Sequence, residues 1–421
     1  MTSAAAATVM ARAAGASGED LHRMNDSNEK GPASPQHVDT RVVTAGRHPP
    51  SYYGFINPPV YHASTLIYPS AEDYVAHRGR YQYGRVGTPT TEALETALAE
   101  LEGPQCAGVA LLPSGLAAIS TALLTVAKAG DHLLVTDTAY GPTRAFCEQI
   151  LPRFGISTTF YDPLIGAEIA AQFRPNTRAV YLESPGSLSF EVQDVGAIAK
   201  AAHDNGAIVL MDNTWATPLY FRPLDHGVDL VIQAGTKYIG GHSDVMLGTV
   251  SANAAHVAVL KQTTFLYGLC EGPDDVYLGL RGLRTLAVRL ERHFKSALEI
   301  ARWLERRPEV LRVLHPAMPG CPGHDLWRRD FTGASGLFSI VLKPVPQKAV
   351  YAFLDTLTLF GIGPSWGGYE SLAIPFDLAP ARTATRWAPG GPTVRFHIGL
   401  EAVADLIADL ERGFAALAAA A

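Results

Sequence analysis

The feature that most constrains this chain is a series of short, nearly continuous apolar segments between residues 106 and 233. They read CAGVALL (106–112), HLLVT (132–136), STTFY within 156–161, RAVYL (178–182), AIVLM (207–211) and DLVIQ (229–233), with helical stretches between most of them. A strand that is apolar throughout needs cover on both faces. The pattern therefore predicts an α/β fold: a mostly parallel sheet with helices on both sides. Thr88-Pro89 predicts an N-cap followed by Pro at the first position of a helix over 90–102, stopped by Gly103-Pro104. Leu116–Ala127 reads as a buried helix, too short to span a bilayer. After about residue 275 the pattern changes. A long helical region (278–308), strands near 310–314 and 336–342, and helices near 347–359 and 401–418 predict a smaller α/β C-terminal domain.

Composition removes several function classes. The 34 Lys and Arg against 40 Asp and Glu leave a net charge of −6 with no long basic run, which disfavours a nucleic-acid or anionic-membrane partner. Cys106, Cys147, Cys270 and Cys321 are widely spaced and form no C-x-x-C pair. Neither a zinc motif nor a disulfide framework is expected, and a reducing cytoplasm fits. His242 has no second ligand at matching spacing, so no metal site is expected; it reads as a hydrogen-bonding residue behind the site. Residues 1 to 38, Ala/Gly/Ser-rich and then polar, read as a disordered extension without a secretory or transit signal.

Parallel sheets bind ligands at the carboxyl ends of their strands, and three strand ends carry chemistry. Lys237 follows 229–233 among glycines and a threonine. It is either a surface cation or a desolvated amine of lowered pKa able to condense with a carbonyl cofactor. Asp212 ends 207–211 and needs a partner, which can be a helix N-terminus, an arginine, or the pyridine nitrogen of pyridoxal phosphate. Ser114-Gly115-Leu116 opens a helix after 106–112, either an ordinary turn or a phosphate cradle.

The segment 229–243 (DLVIQAGTKYIGGHS) resembles the cofactor-attachment signature of the Cys/Met-metabolism family of pyridoxal-phosphate-dependent transsulfuration enzymes. The similarity extends from about residue 40 to the C-terminus. It includes Tyr83-Gly84-Arg85, Thr138-Ala139-Tyr140, Asp212-Asn213-Thr214-Trp215, Ser365-Trp366-Gly367-Gly368 and Arg395-Phe396-His397. Within the family, Trp366, Ser187 (in Glu183-Ser184-Pro185-Gly186-Ser187) and Ala234 resemble the bacterial cystathionine β-lyases rather than the γ-class enzymes.

The resemblance implies the aspartate aminotransferase-type fold (fold type I). It implies an arm at 39–85 reaching a neighbouring subunit, a large cofactor-binding domain at 86–282 and a C-terminal domain at 283–421. A homodimer would be the minimal unit and a homotetramer the expected assembly. Lys237 would hold the cofactor and move the Cα proton. Asp212 would pair with the ring nitrogen, and Tyr140 would stack on the ring and assist amine deprotonation. Gly115, Leu116 and Thr236 would bind the phosphate, joined by Tyr83 and Arg85 from the neighbour. Arg395, Ser365 and Trp366 would bind the substrate carboxylate. The expected reaction is α,β-elimination of L-cystathionine, cystine or an S-substituted cysteine. The alternatives are a γ-class member, such as a methionine γ-lyase or O-acylhomoserine sulfhydrylase, and a non-catalytic protein of the same fold. Val86 and Phe265 depart from an Arg and a Tyr that relatives use for the distal end of the substrate, which implies a relaxed preference there.

Overall fold

The structure is a computed structural model that describes residues 36–421. The expected extension over 1 to 38 lies almost wholly outside the described residues. Residues 41–421 form one compact unit that carries both sheets.

The larger sheet contains β1 (Gly108–Leu112), β2 (His132–Thr136), β3 (Ser157–Tyr161), β4 (Thr177–Glu183), β5 (Ile208–Asp212), β6 (Leu230–Gln233) and β7 (Gly248–Ala252), in the order β1-β7-β6-β5-β4-β2-β3. Neighbours from β3 through β6 are parallel. Strand β7 runs antiparallel between β6 and β1. The six apolar segments all become strands. β7 is the addition: Gly248–Ala252 is fully buried yet forms no apolar run, since Thr249 and Ser251 alternate with Val250 and Ala252.

The double cover follows from side-chain alternation. Leu210 of β5 packs with Ala118, Ile119 and Ala122 of helix Gly115–Val126 on one face. Val209 and Met211 pack with Ile198 and Ala202 of helix Val195–Asp204 on the other. Helix Pro89–Glu102 begins as expected, with Thr88 Oγ1 accepting the Thr91 N–H and Pro89 at the first turn, and it ends at Gly103.

The smaller sheet is antiparallel throughout, β10-β11-β9-β8, with β8 (Val310–Leu314), β9 (Leu337–Leu342), β10 (Leu372–Phe376) and β11 (Thr393–His397). The long helical region is two helices, Pro273–Leu283 and Leu286–Glu305, rather than one. The break falls where Arg284 donates to the Val42 and Ala45 carbonyls. Helix Gln347–Thr356 stops short of 359 because Asp409 takes the Thr358 and Leu359 N–H groups.

Two further features bear on the site. The buried Asp137 carboxylate accepts from Arg144, from the N–H groups of Thr383, Ala384 and Thr385, and from both threonine hydroxyls. This fastens the β10–β11 connection onto the loop that follows β2. Separately, Tyr53 (95% exposed), Phe55, Ile56, Ile67 (91% exposed), Tyr74 and Val75 display apolar side chains along 53–75. Among the described residues, no helix is long and apolar enough to cross a membrane.

Candidate active site

The ends of β1, β4, β5 and β6 converge on a cavity of about 280 Å³, to which the C-terminal part of the chain contributes Trp366 and Arg395. Of the candidates, Gly115, Leu116, Tyr140, Asp212, Thr236, Lys237, Trp366 and Arg395 line it. Ser365 reaches in by accepting from the Lys237 amine at 2.8 Å.

Each side chain has a local cause. Ser114 caps its helix by accepting the Ala117 N–H at 3.1 Å, so the helix points its first, unpartnered N–H groups at the cavity. Glycine is required at 115, because an added Cβ would lie 2.6 Å from the Ala234 Cβ. It is required again at 367, where φ is +86° and a Cβ would lie 2.9 Å from the Lys237 carbonyl carbon. Trp366 places its ring centroid 5.4 Å from the Lys237 amine.

The electrostatics favour a reactive amine. Burial, then the Arg395 charge, bring Lys237 from 10.5 down to about 8, with Asp212 opposing. Burial raises Asp212, against hydrogen bonds from the Thr214 N–H and hydroxyl and the charge of Lys237. Burial, then Glu183 and Asp212, raise Tyr140, which is half exposed at the cavity rim. Burial lowers Arg395 to about 10. Its Nη2 donates to the Gly363 and Ser365 carbonyls at 3.3 and 2.9 Å, while its Nε is buried without a partner. A guanidinium held this way suits an incoming carboxylate.

The arrangement fits pyridoxal phosphate. A soft amine, a buried carboxylate and a helix N-terminus meet in one cavity, and only glycine at 115 lets that helix start pack this closely against Ala234 in the cavity wall.

Thr236 lines the cavity with its hydroxyl engaged, donating to the Leu247 carbonyl at 3.1 Å and accepting the Leu247 N–H at 3.0 Å. Tyr83 and Arg85 do not line this chain's cavity. Tyr83 bridges to Thr65. Arg85 donates to the Phe265 carbonyl at 2.9 Å and stacks 4.7 Å from its ring. The departures Val86 and Phe265 line one smaller cleft together with Arg85. His242 bonds locally, Nδ1 to the Gly240 carbonyl.

Two site residues escaped role assignment in the sequence. Thr214 supports Asp212 by donating its N–H to Oδ1 at 2.9 Å, and its hydroxyl accepts the Ala234 N–H at 2.9 Å. Its position two residues after an Asp is the usual signal for such a turn. Glu183 lines the cavity from the end of β4.

The family model for Cys/Met metabolism PLP-dependent enzymes matches residues 39–415. Cystathionine beta-lyase MetC of Escherichia coli is 46% identical over 389 residues, 90% of this chain and 98% of that protein. The L-alanine/L-glutamate racemase of Wolbachia pipientis is 42% identical over 393 residues, 89% of this chain and 96% of its own length. The structure of cystathionine gamma synthase from Xanthomonas oryzae superimposes with a TM-score of 0.85 at 33% identity, covering 92% of this chain and all of that one (100%). By the extent of these matches and by the cavity itself, this chain belongs to the Cys/Met-metabolism family of pyridoxal-phosphate-dependent enzymes, and it has their fold.

Proposed function

We propose that this enzyme is a carbon–sulfur β-lyase: L-cystathionine and water give homocysteine, pyruvate and ammonia, and cystine and S-substituted cysteines serve as further substrates. Pyridoxal phosphate, when bound, supplies a sink for the electron pair released at the substrate Cα. The chain's own groups do the rest. Lys237 would hold the cofactor through its amine. Arg395, already fixed by two carbonyls, takes the α-carboxylate through its free Nε and sets the Cα–H bond toward the Lys237 amine. The amine, already softened by burial, removes that proton and returns one to the departing sulfur. Asp212 would keep a proton at the ring nitrogen, and Tyr140 would flank the ring and take a proton from the incoming amine.

The observation that carries the β over the γ reading is the Trp366 indole beside the Lys237 amine, which also bonds Ser365. A γ-elimination asks one base to serve Cα, Cβ and a group leaving from Cγ, whereas a β-elimination asks only for Cα and the sulfur leaving from Cβ. An amine walled on one side and hydrogen-bonded on the other suits the smaller excursion.

The same reading covers assembly and place. The exposed apolar stretch over 53–75 and the Arg85 cleft suit a neighbouring subunit, with the 39–85 arm completing the partner's phosphate site. A homodimer, and from it a homotetramer, follows, in the cytoplasm. Residues 86–282 serve as the cofactor domain and 283–421 as the C-terminal domain.

The test is product identity from L-cystathionine. Pyruvate is expected, while 2-oxobutyrate as the main product, or a faster racemisation of separately supplied L-alanine, rejects the reading. The Lys237→Ala variant loses both borohydride-fixable cofactor and pyruvate formation. Because Val86 and Phe265 bring no charged or hydroxyl group to the cleft they line, and the Lys261 amine in its wall is already paired with Glu95, S-alkylcysteines are turned over within roughly a thousandfold of cystathionine, about 4 kcal/mol in kcat/KM.

A further inference from the structure

Glu183 sits in the cavity wall without a part in the scheme above. It ends β4, and the parallel register sets it beside Asp212, which ends β5. Its Oε2 accepts the Tyr140 N–H at 2.7 Å. The groups facing it come from every side of the cavity: Asp212 from β5, Tyr140 from the loop after β2, Lys237 from the turn after β6, and Arg395 from β11. No ion pair reaches Glu183 among the described residues, and the charge acting on it is the Asp212 carboxylate.

Two desolvated carboxylates on adjacent strands do not both ionise. The compensation is unequal. Asp212 has the Thr214 N–H, the Thr214 hydroxyl and the Lys237 charge. Glu183 has a single backbone N–H. The proton therefore belongs on Glu183.

We propose that Glu183 is a positioning residue that remains a neutral carboxylic acid, one oxygen anchoring the Tyr140 backbone and the other carrying an O–H into the cavity beside Asp212. This leaves the negative charge of the pair on Asp212, where a protonated ring nitrogen needs it. It also fixes the height of the Tyr140 ring over the cavity. Burial and the neighbouring Asp212 charge raise Glu183 well above the usual carboxylate range, in agreement. A buried carboxylic acid that stays protonated near neutral pH can donate a hydrogen bond that a carboxylate cannot.

The proposal rests on the cavity being the cofactor site, but its first test is independent of the reaction. Infrared difference spectra of the holoenzyme, parent minus Glu183→Gln, should show the carbonyl stretch of a protonated carboxylic acid in the parent alone, shifted on transfer to D2O. The second test titrates cofactor-free protein with pyridoxal phosphate. Gln keeps both an acceptor for the Tyr140 N–H and a donor for the cavity, so its affinity should stay within roughly threefold of the parent. Glu183→Ala abandons a buried N–H and should weaken binding by roughly tenfold or more. Absence of the carbonyl band at neutral pH overturns the proposal, and so does equal weakening by Gln and Ala. If the Ala variant does not fold, the infrared result and the Gln titration decide. A protein that shows the band but forms no pyruvate refutes the lyase reading and leaves the Glu183 assignment standing.

Discussion

The acidity of Lys237 can be measured before any cofactor is added, and the structure sets both its size and the sign of each contribution. An ordinary lysine near 10.5 is neutral in roughly one molecule per thousand at a pH of about 7.5. With its pKa at about 8, Lys237 is neutral in roughly a quarter of molecules, a gain of ~200-fold in nucleophilic amine. Competitive acetylation of the cofactor-free protein, read peptide by peptide across pH, measures this midpoint directly. Burial is the main cause and Arg395 the next, while Asp212 pulls the other way. Arg395→Gln should therefore raise the midpoint and Asp212→Asn should lower it. A midpoint at or above 10 refutes the argument, as does a shift of either variant in the wrong direction, because the same desolvation underlies the proposed proton transfer.

Three other outcomes follow from the same geometry. Lys237→Met should stabilise the cofactor-free protein by up to ~3 kcal/mol near neutral pH. The folded pKa lies below the unfolded one, so the penalty is full below about 8 and fades as pH rises toward 10.5; urea unfolding at fixed protein concentration across that window checks it. Asp137→Asn should destabilise by about 2–3 kcal/mol in the same assay, since it leaves the buried Arg144 with only the part-exposed Glu148 as counter-charge and leaves backbone N–H groups on 383–385 facing an amide; a loss below about 1 kcal/mol would contradict the picture. Gly367→Ala combines a left-handed φ with a contact on the Lys237 backbone, so it should cost about 1–3 kcal/mol and lower kcat more than it raises KM, as steady-state kinetics would read.

Much of the site was legible in the sequence because strand ends and helix caps are local. Thr88-Pro89 caps as read, and Lys237, Asp212 and Gly115 all emerge where apolar strands stop. What the sequence hid depends on residues far apart in the chain. Strand β7 carries polar Thr249 and Ser251, and its burial comes from lying between β1 and β6. The break after Leu283 comes from Arg284 reaching the Val42 and Ala45 carbonyls. Glu183 stands in a recognisable motif, but its weight comes from standing next to Asp212 across a strand pair. Thr236 shows the reverse: the residue is in place, while its hydroxyl is taken up by Leu247, a residue no local pattern connects to it.

The carboxylate of Asp137 has a mechanical meaning. The segment it pins, 383–385, belongs to the connection that runs on into the strand bearing Arg395, and Asp137 itself lies three residues from Tyr140. The guanidinium proposed to take a substrate's carboxylate and the phenol proposed to cover the ring are thus tied through one anchor. One buried carboxylate thereby sets the span between the two walls of the cleft.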